Sequence, residues 1–491
     1  MKKTNQIKLK ELIPELEIDD IDFSGISTDS RKVKVGELFI AYKGIDFDGN
    51  DYIDVALKKG ASAVISDSLS KPSKKIFRLE DLKDKLGRII SEYYQHPSQK
   101  INLIAVTGTN GKTSCVEFLS SLLNSIKKQC GYLSTIGWSV DGGQIINRSS
   151  ITTPGILEIN KKLEDMVDLN MKYAAIEASS HGLKQGRLDG LTIDTAILTS
   201  FSQDHLDYHQ NMENYAKSKK KLFLDLSPKN SIVNVDNKLG EEIYSELKNR
   251  NLDVYGISKT KEAEVTYEVK RNKENNITLE ISSQFGEKKI DFNTFSQHLA
   301  SNALCSIVAL LLNGFHLEDL AKYSKKIKFP EGRMQPIFID DKNVCVIDYA
   351  HTPEALETSL RDLNEFPDTK LWCLFGCGGN RDKTKRPKMG RISALNSDEV
   401  VITNDNPRFE DPYSIVEDIL EGVEDKKRIK IELDRTEAIN YCLTKMKKSN
   451  SKNILLIAGK GHEDIQEVDG RKYQFSDFEK VSTFINKIGK N

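Results

Sequence analysis

The sequence predicts an α/β protein of three domains, the central one a P-loop-type, mostly parallel sheet with helices on both faces. Three observations carry this. The stretch Ile104 to Ser114 reads Ile-Ala-Val-Thr-Gly-Thr-Asn-Gly-Lys-Thr-Ser, an apolar strand running through a Gly-containing turn into a helix-period segment. Strand-like apolar runs alternate with helical segments through most of the chain, the pattern of a parallel sheet covered by helices. At 491 residues the chain is too long for one hydrophobic core, and length alone gives roughly three domains.

Composition narrows the function classes. Lys plus Arg number 72 against 73 Asp plus Glu, so charge gives no reason to expect nucleic acid or an acidic membrane as partner. No apolar run reaches membrane-spanning length, and the polar N-terminus Met1 to Lys10 is followed by no apolar core, so a cytosolic protein is expected. The seven cysteines are scattered and several sit in apolar runs, as thiols packed like small hydrophobes do; Cys373 and Cys377 lack a second pair at zinc spacing.

The first domain, 1–98, is the smallest. Leu38 to Ala41 and Ala63 to Ile65 read as strands, Thr28-Asp29-Ser30-Arg31 as a polar turn or cap, and His96-Pro97-Ser98 as a boundary.

The second, 99–333, contains the cradle. Backbone N–H groups of the turn and the positive end of the following helix face one point, Lys112 adds a mobile charge, and the Thr113 hydroxyl can hold Mg²⁺. The generic P-loop asks for a Gly separated from the Gly-Lys pair by four residues, and Val106 stands there instead. Cys115, Leu119, Leu122, Leu123 and Ile126 supply the helical period behind the turn. Glu177 ends the strand Tyr173 to Ile176, where a Mg²⁺ ligand is wanted and a helix-capping acid is also at home. His205 and His209 follow another strand, each a candidate ligand, proton carrier or structural residue. Met212, Tyr215, Lys219, Leu222 and Leu226 share one helix face, which turns Lys219 inward. Spacing alone leaves it either a low-dielectric lysine suited to chemistry or modification, or a lysine snorkelling at the stripe's edge. Lys217, Lys220 and Lys221 fall off the stripe and read as solvated charges, and residues 263–292 as an antiparallel appendage.

The third, 334–491, reads as a Rossmann-like α/β domain. Buried strands Val344 to Ile347, Leu371 to Phe375, Val400 to Thr403 and Ile454 to Ala458 are each followed by a polar loop, and four such loops would converge on one crevice. On them Arg381 and Arg408 offer planar forks for a carboxylate, and Glu463 could accept from a substrate ammonium.

Taken together, Gly108-Thr-Asn-Gly-Lys-Thr, Thr152-Thr-Pro, Glu177-Ala-Ser-Ser-His-Gly, Asp204-His-Leu-Asp-Tyr-His, Asp348-Tyr-Ala-His-Thr-Pro, Gly376-Cys-Gly-Gly-Asn-Arg-Asp-Lys, Asp405-Asn-Pro-Arg and Gly459-Lys-Gly-His-Glu-Asp resemble the motifs of the Mur ligases, in order across all three domains. That family's own cradle is the shorter Gly-Thr-x-Gly-Lys-Thr form, which accounts for Val106. The resemblance implies an ATP-dependent amide ligase of peptidoglycan precursor synthesis. In it the D-Glu γ-carboxylate of UDP-N-acetylmuramoyl-L-Ala-D-Glu becomes an acyl phosphate and an amino acid's amine displaces the phosphate.

The same resemblance assigns roles. Gly108, Thr109, Asn110, Gly111, Lys112, Thr113 and Ser114 hold the ATP phosphates; Asn302 and His351 match positions at its adenosine part. Lys112, Glu177, His205 and Lys219 are catalytic, with Thr113, Glu177, His205 and a carbamylated Lys219 around Mg²⁺. Thr28, Ser30, Ile45, Asp46 and Phe47 meet the uridine end of the substrate, and Thr152, Thr153, Ser179, Gln185 and Arg187 its sugar and peptide end. Arg381, Asp405, Asn406, Pro407, Arg408, Gly459 and Glu463 form the amino-acid pocket, where Arg408 favours meso-diaminopimelate over L-lysine because lysine lacks the second carboxylate. Ser296-Gln-His-Leu-Ala-Ser-Asn departs from the usual Gly-x-Phe-Asn-x-x-Asn and bears on the role of Asn302. A monomer acting on small molecules is expected. The competing readings are a lysine-adding ligase, a folylpolyglutamate synthetase, a non-catalytic nucleotide-binding regulator and a kinase.

Overall fold

The computed structural model describes residues 8–16, 21–44, 47–68, 74–139, 145–147, 151–271, 276–327 and 329–488. The chain divides into two compact units. One takes Met1–Ala105, Lys128–Ala196 and Ser218–Lys229, the other Val106–Lys127, Ile197–Lys217 and Asn230–Asn491.

In the first unit, Ile26–Ser27, Leu38–Ala41, Ala63–Ser66 and Ile76–Arg78 form a four-stranded parallel sheet in that order. Its two central strands are buried throughout because both faces are covered. Leu38, Ile40, Ala63 and Ile65 face the helix Leu82–Tyr93, whose Leu82, Leu86, Ile89, Ile90 and Tyr93 recur at helical spacing. The alternate residues Phe39, Ala41 and Val64 pack on Ile53 and Ala56 of the helix Ile53–Lys58. Further along the same unit, Cys130–Ser134 lies between Tyr173–Glu177, parallel, and Gly137–Ser139, antiparallel.

In the second unit, Asn230–Asn234, Val254–Ser258 and Val265–Arg271 pair in parallel, followed by antiparallel Ile277–Ser283 and Gly286–Phe292. The expected antiparallel appendage is thus three strands long and continuous with the parallel sheet through its first strand. A six-stranded sheet follows, in the order Gln335–Phe338, Asn343–Asp348, Lys452–Ala458, Thr369–Phe375, Glu399–Ile402 and Ile429–Ile431; only the first strand is antiparallel. Val346, Cys373, Phe375, Ile402 and Leu456 pack beneath helices Pro353–Asn364, Lys385–Asn396 and Pro412–Leu420. Their neighbours Cys345, Trp372, Leu374, Val401 and Leu455 pack against Arg435–Lys448 on the other face. The four strands followed by polar loops are therefore adjacent and parallel, and their loops emerge at one end.

All seven cysteines are buried and unbridged, and burial pushes Cys305, Cys345, Cys373, Cys377 and Cys442 well up from the ordinary thiol value, as expected of core residues. Among the described residues no helix is long and apolar enough to cross a membrane.

Candidate active site

The cradle is built as the strand-turn-helix pattern requires. The helix Lys112–Ser125 starts at Gly111, whose φ of +86° disfavours any side chain, and a Cβ there would overlap the amide of Asn302. Gly108 is likewise excluded from carrying a Cβ, by the Thr199 hydroxyl. The turn is fastened by Thr109 Oγ1 to Tyr215 OH at 3.1 Å, and by Asn110 N–H donating to Ser200 Oγ at 3.0 Å. Lys112 Nζ donates to the carbonyls of Gly108 and Thr109, both at 2.9 Å, and so lies over its own loop. A helix N-terminus with a lysine in its first turn is an arrangement that could hold an anion.

Arg333, which the sequence reading passed over, donates through Nη2 to Thr113 Oγ1 at 3.2 Å and lies over the Tyr349 ring at 4.5 Å. Its Nε is buried with no hydrogen-bond partner among the described residues, an orphan donor beside the glycine turn. Nothing periodic marks Gly332-Arg-Met in the sequence.

Asn302 stands against Gly111, and the departing segment before it has its own anchor. Ser296 caps the helix Gln297–Leu312 and donates to Asp362 Oδ2 at 2.8 Å, with His298 Nδ1 at 3.3 Å from the same oxygen. Burial works against protonation of His298, but Asp362 outweighs it and raises the imidazole above its ordinary value. The altered motif therefore still fixes the helix that carries Asn302.

Asp204 joins the loop after Thr195–Leu198 to the C-terminal loops. Burial opposes its charge, yet His205, His351 and Lys385 together hold it down at about 2. His205 Nε2 is 3.3 Å and His351 Nε2 3.9 Å from Asp204 Oδ2. His205 itself adopts φ +53°, a conformation that is costly for a bulky residue and turns the chain into the helix Leu206–His209. Burial and then Lys385 lower His351, whose Nδ1 faces the Tyr349 carbonyl at 2.8 Å. His209 is fully buried among aromatic rings, a packing position.

In the first unit Glu177 is 0% exposed at the end of its strand. Its carboxylate accepts from Thr135 N–H at 2.9 Å and Thr135 Oγ1 at 3.2 Å, a partner the sequence did not reveal. The expected sugar-and-peptide residues gather around it. Thr135 Oγ1 and Thr152 Oγ1 lie in hydrogen-bond contact at 3.2 Å; Thr153 bonds the Glu177 carbonyl at 2.7 Å and Ser179 Oγ at 2.9 Å; Arg187 reaches the Thr153 carbonyl at 2.6 Å and Gln185 Oε1 at 3.0 Å.

Lys219 is 1% exposed on the helix Met212–Leu224, with Tyr215 and Leu222 buried on the same stripe, so it points inward as its spacing requires. Lys217 is exposed, but Lys221 is not a merely solvated charge: it pairs with Asp189 at 2.8 Å, because the helix passes the 186–190 turn there. Thr28 and Ser30 lie in a loop closed by Asp29, which pairs bidentately with Arg31 at 2.9 Å. Phe47 is 74% exposed; Ile45 and Asp46 lie outside the described residues.

The polar loops of the C-terminal sheet do converge. Gly459 (φ +111°) brings its backbone close to Asp405. Asn406 Nδ2 donates to Glu463 Oε2 at 3.0 Å, and fully buried Lys460 donates to Asn406 Oδ1 and Glu463 Oε2, both at 3.2 Å. Among the described residues the buried Asp405 Oδ1 has no hydrogen-bond partner and lies 3.6 Å from Lys460. Burial and then Asp405's charge raise Glu463 above its ordinary value, against the pull of Lys460. Arg408 (φ +54°) donates through Nη1 to the Gly379 carbonyl at 2.8 Å and faces Glu467 Oε2 at 3.3 Å. Arg381 is half-exposed, 3.8 Å from Asp207. Such a pocket offers a cation to a carboxylate and two carboxylates to an ammonium, the complement of an amino acid. Lys460 escaped the sequence reading because loop charges are normally solvated, and Glu467 because it lies on a short strand, Ile465–Val468, with no strong apolar pattern.

Comparison with known proteins identifies the family. Three family models match in chain order: "Mur ligase family, catalytic domain" over 22–94, "Mur ligase middle domain" over 106–310 and "Mur ligase, glutamate ligase domain" over 332–461. The UDP-N-acetylmuramoyl-L-alanyl-D-glutamate–2,6-diaminopimelate ligase of Rickettsia typhi is 39% identical over 476 residues, 94% of this chain and 93% of that protein. A solved structure of a ligase of that name superposes with a TM-score of 0.72 at 32% identity, covering 99% of each chain. Folylpolyglutamate synthase of Mycobacterium tuberculosis shares the fold at 16% identity and a TM-score of 0.63, over 77% of this chain and 92% of that one. With three domains matched in order and a relative 39% identical along nearly its whole length, the chain belongs to the Mur ligase family.

Proposed function

We propose that this chain joins meso-2,6-diaminopimelate to the D-Glu γ-carboxylate of UDP-N-acetylmuramoyl-L-Ala-D-Glu, using ATP and passing through an acyl phosphate. It acts as a monomer in the cytosol, with substrate, ATPase and amino-acid domains at 1–98, 99–333 and 334–491. The observation that carries the acceptor assignment is Arg408, a partly buried guanidinium in a pocket with Asp405 and Glu463. Diaminopimelate and lysine differ by one carboxylate, and a partly buried arginine whose remaining donor only diaminopimelate can meet would discriminate between them.

In this reading Gly108 to Ser114 bind the ATP phosphates, Arg333 adds its buried orphan donor, and Asn302 and His351 take the adenosine side. Thr28, Ser30 and Phe47, with Ile45 and Asp46, hold the uridine end. Thr152, Thr153, Ser179, Gln185 and Arg187 orient the dipeptide. Asp405, Asn406, Pro407, Gly459, Glu463 and Arg381 fix the incoming amino acid with its amine presented to the activated carboxyl. By the family resemblance Thr113, Glu177, His205 and a carbamylated Lys219 would hold Mg²⁺; they are donor types suited to that ion, Glu177 among them a buried carboxylate. When bound it neutralises the charge that builds on the transferring phosphoryl group. Lys219 contributes by adding its neutral amine to CO₂, releasing a proton and leaving a carbamate oxygen donor.

Phosphate release with ATP, Mg²⁺ and UDP-N-acetylmuramoyl-L-Ala-D-Glu, compared across meso-diaminopimelate, L-lysine and no amino acid, tests the proposal. Release with diaminopimelate, and the tripeptide product by mass, is expected. Release with lysine alone would overturn the acceptor assignment, and silence with both would overturn the reaction.

A further inference from the structure

The match to the family's glutamate ligase domain ends at residue 461, just before a hairpin, Ile465–Val468 paired with Arg471–Gln474, that the sequence reading did not foresee. The hairpin grips the Asp405–Arg408 loop at three of its four residues. Gln466 Nε2 donates to the Asp405 carbonyl at 2.8 Å, and Glu467 N–H donates to Asn406 Oδ1 at 2.9 Å. Arg408 N–H donates to the Glu467 carbonyl at 3.1 Å, and Asp469 N–H to the Arg408 carbonyl at 2.6 Å. These backbone bonds hold Arg408 in its left-handed conformation, which a non-glycine residue adopts only when its surroundings impose it.

The side chain is fixed from two directions. The Gly379 carbonyl takes Nη1, and Glu467 Oε2 forms an ion pair with Nε at 3.3 Å, so the guanidinium is restrained from both sides. Among the described residues Nη2 has no partner, so one corner of the fork remains to meet a ligand. An arginine held this way accepts a planar carboxylate with little further ordering, whereas a loose one must lose rotamer freedom at the moment of binding.

We infer that Glu467, carried by this hairpin, is the positioning residue that aims Arg408 at the distal carboxylate of the incoming amino acid and so sets selectivity against acceptors lacking it. The inference rests on the reading of Arg408 given above. Glu467 does not itself touch substrate; its effect passes through the orientation of the guanidinium.

Steady-state kinetics of wild type, Glu467→Ala and Glu467→Gln with meso-diaminopimelate and with L-lysine test it, with the KM for ATP as internal control. Glu467→Ala should raise the KM for diaminopimelate by about tenfold, the scale of one lost charge-assisted contact, while kcat and the ATP KM stay near wild type. The preference for diaminopimelate over lysine should narrow by a similar factor. Glu467→Gln, which keeps an acceptor at Nε, should recover part of the loss. An unchanged diaminopimelate KM in Glu467→Ala would refute the inference. So would a parallel rise in the ATP KM with no recovery in Glu467→Gln, since the hairpin would then be only a structural prop. Wild-type turnover with lysine but not diaminopimelate would instead overturn the underlying reading of Arg408, and this inference with it.

Discussion

Replacing Asp477 with alanine strands a guanidinium in the C-terminal core. Arg435 and Asp477 are 1% and 0% exposed, and the pair is bidentate, Nε to Oδ1 and Nη2 to Oδ2, both at 2.8 Å. Arg435 also donates to the Ala458 carbonyl at 3.0 Å and the Asn404 carbonyl at 3.3 Å, the residues that open two of the amino-acid loops. Removing one partner of a buried pair costs about 3–5 kcal/mol, because the remaining charge cannot reach water. With a urea dependence of about 2 kcal/mol/M, the midpoint of the transition involving this domain should fall by on the order of 2 M. The assay is urea unfolding followed by far-UV circular dichroism. Asp477→Asn, which keeps the shape and an acceptor, should lie between alanine and wild type. The double variant Arg435→Met/Asp477→Leu should recover most of the loss, since it leaves no uncompensated charge. A midpoint for Asp477→Ala within error of wild type would refute the reasoning, as would a double variant worse than the single one.

Other outcomes follow from the same geometry. Lys219→Ala should nearly abolish turnover, and added formate or acetate should restore part of it by standing in for the carbamate; wild-type activity would remove Lys219 from the mechanism. Arg408→Ala should raise the KM for diaminopimelate by about a hundredfold and that for ATP hardly at all, as measured by initial rates, the scale of a lost hydrogen bond between charged groups. Glu410 is held down at about 2, chiefly by its bond to buried Arg386. Its depressed pKa means stability present above the ordinary value of 4.5 and lost as pH falls towards 2. Glu410→Gln should therefore lower stability at pH 7 by roughly 2–3 kcal/mol and flatten the acid limb between those values, read by melting temperature against pH.

The cradle was legible because its residues are contiguous: strand, glycine turn, lysine and helix period all fall within Ile104 to Ile126, and local conformation follows local sequence. Lys219 was legible for a related reason, since helical period alone turns it towards Tyr215 and Leu222. Burial of a loop charge has no such signature. Lys460 sits in Gly459-Lys-Gly-His-Glu-Asp like any solvated lysine, and only its approach to Asn406 and Glu463 shows that it is enclosed. Arg333 and Thr135 were missed likewise, each having its role through a partner more than forty residues away. Lys221, read as solvated, meets Asp189 thirty-two residues earlier.

By itself the sequence determined the α/β class, the three domains, the strand, glycine turn and helix of Ile104 to Ile126, and the inward lysine, because apolar period and turn chemistry are set within a few residues of each position. Tertiary structure alone decided the order of the C-terminal sheet, where Lys452–Ala458, last of its strands in the chain, inserts between Asn343–Asp348 and Thr369–Phe375. That insertion brings Gly459 and Glu463 beside Asp405 and Asn406, and the following hairpin to Arg408. Strand order and ion pairing are settled by contacts between residues far apart in the chain, whose free energy no local window of sequence contains.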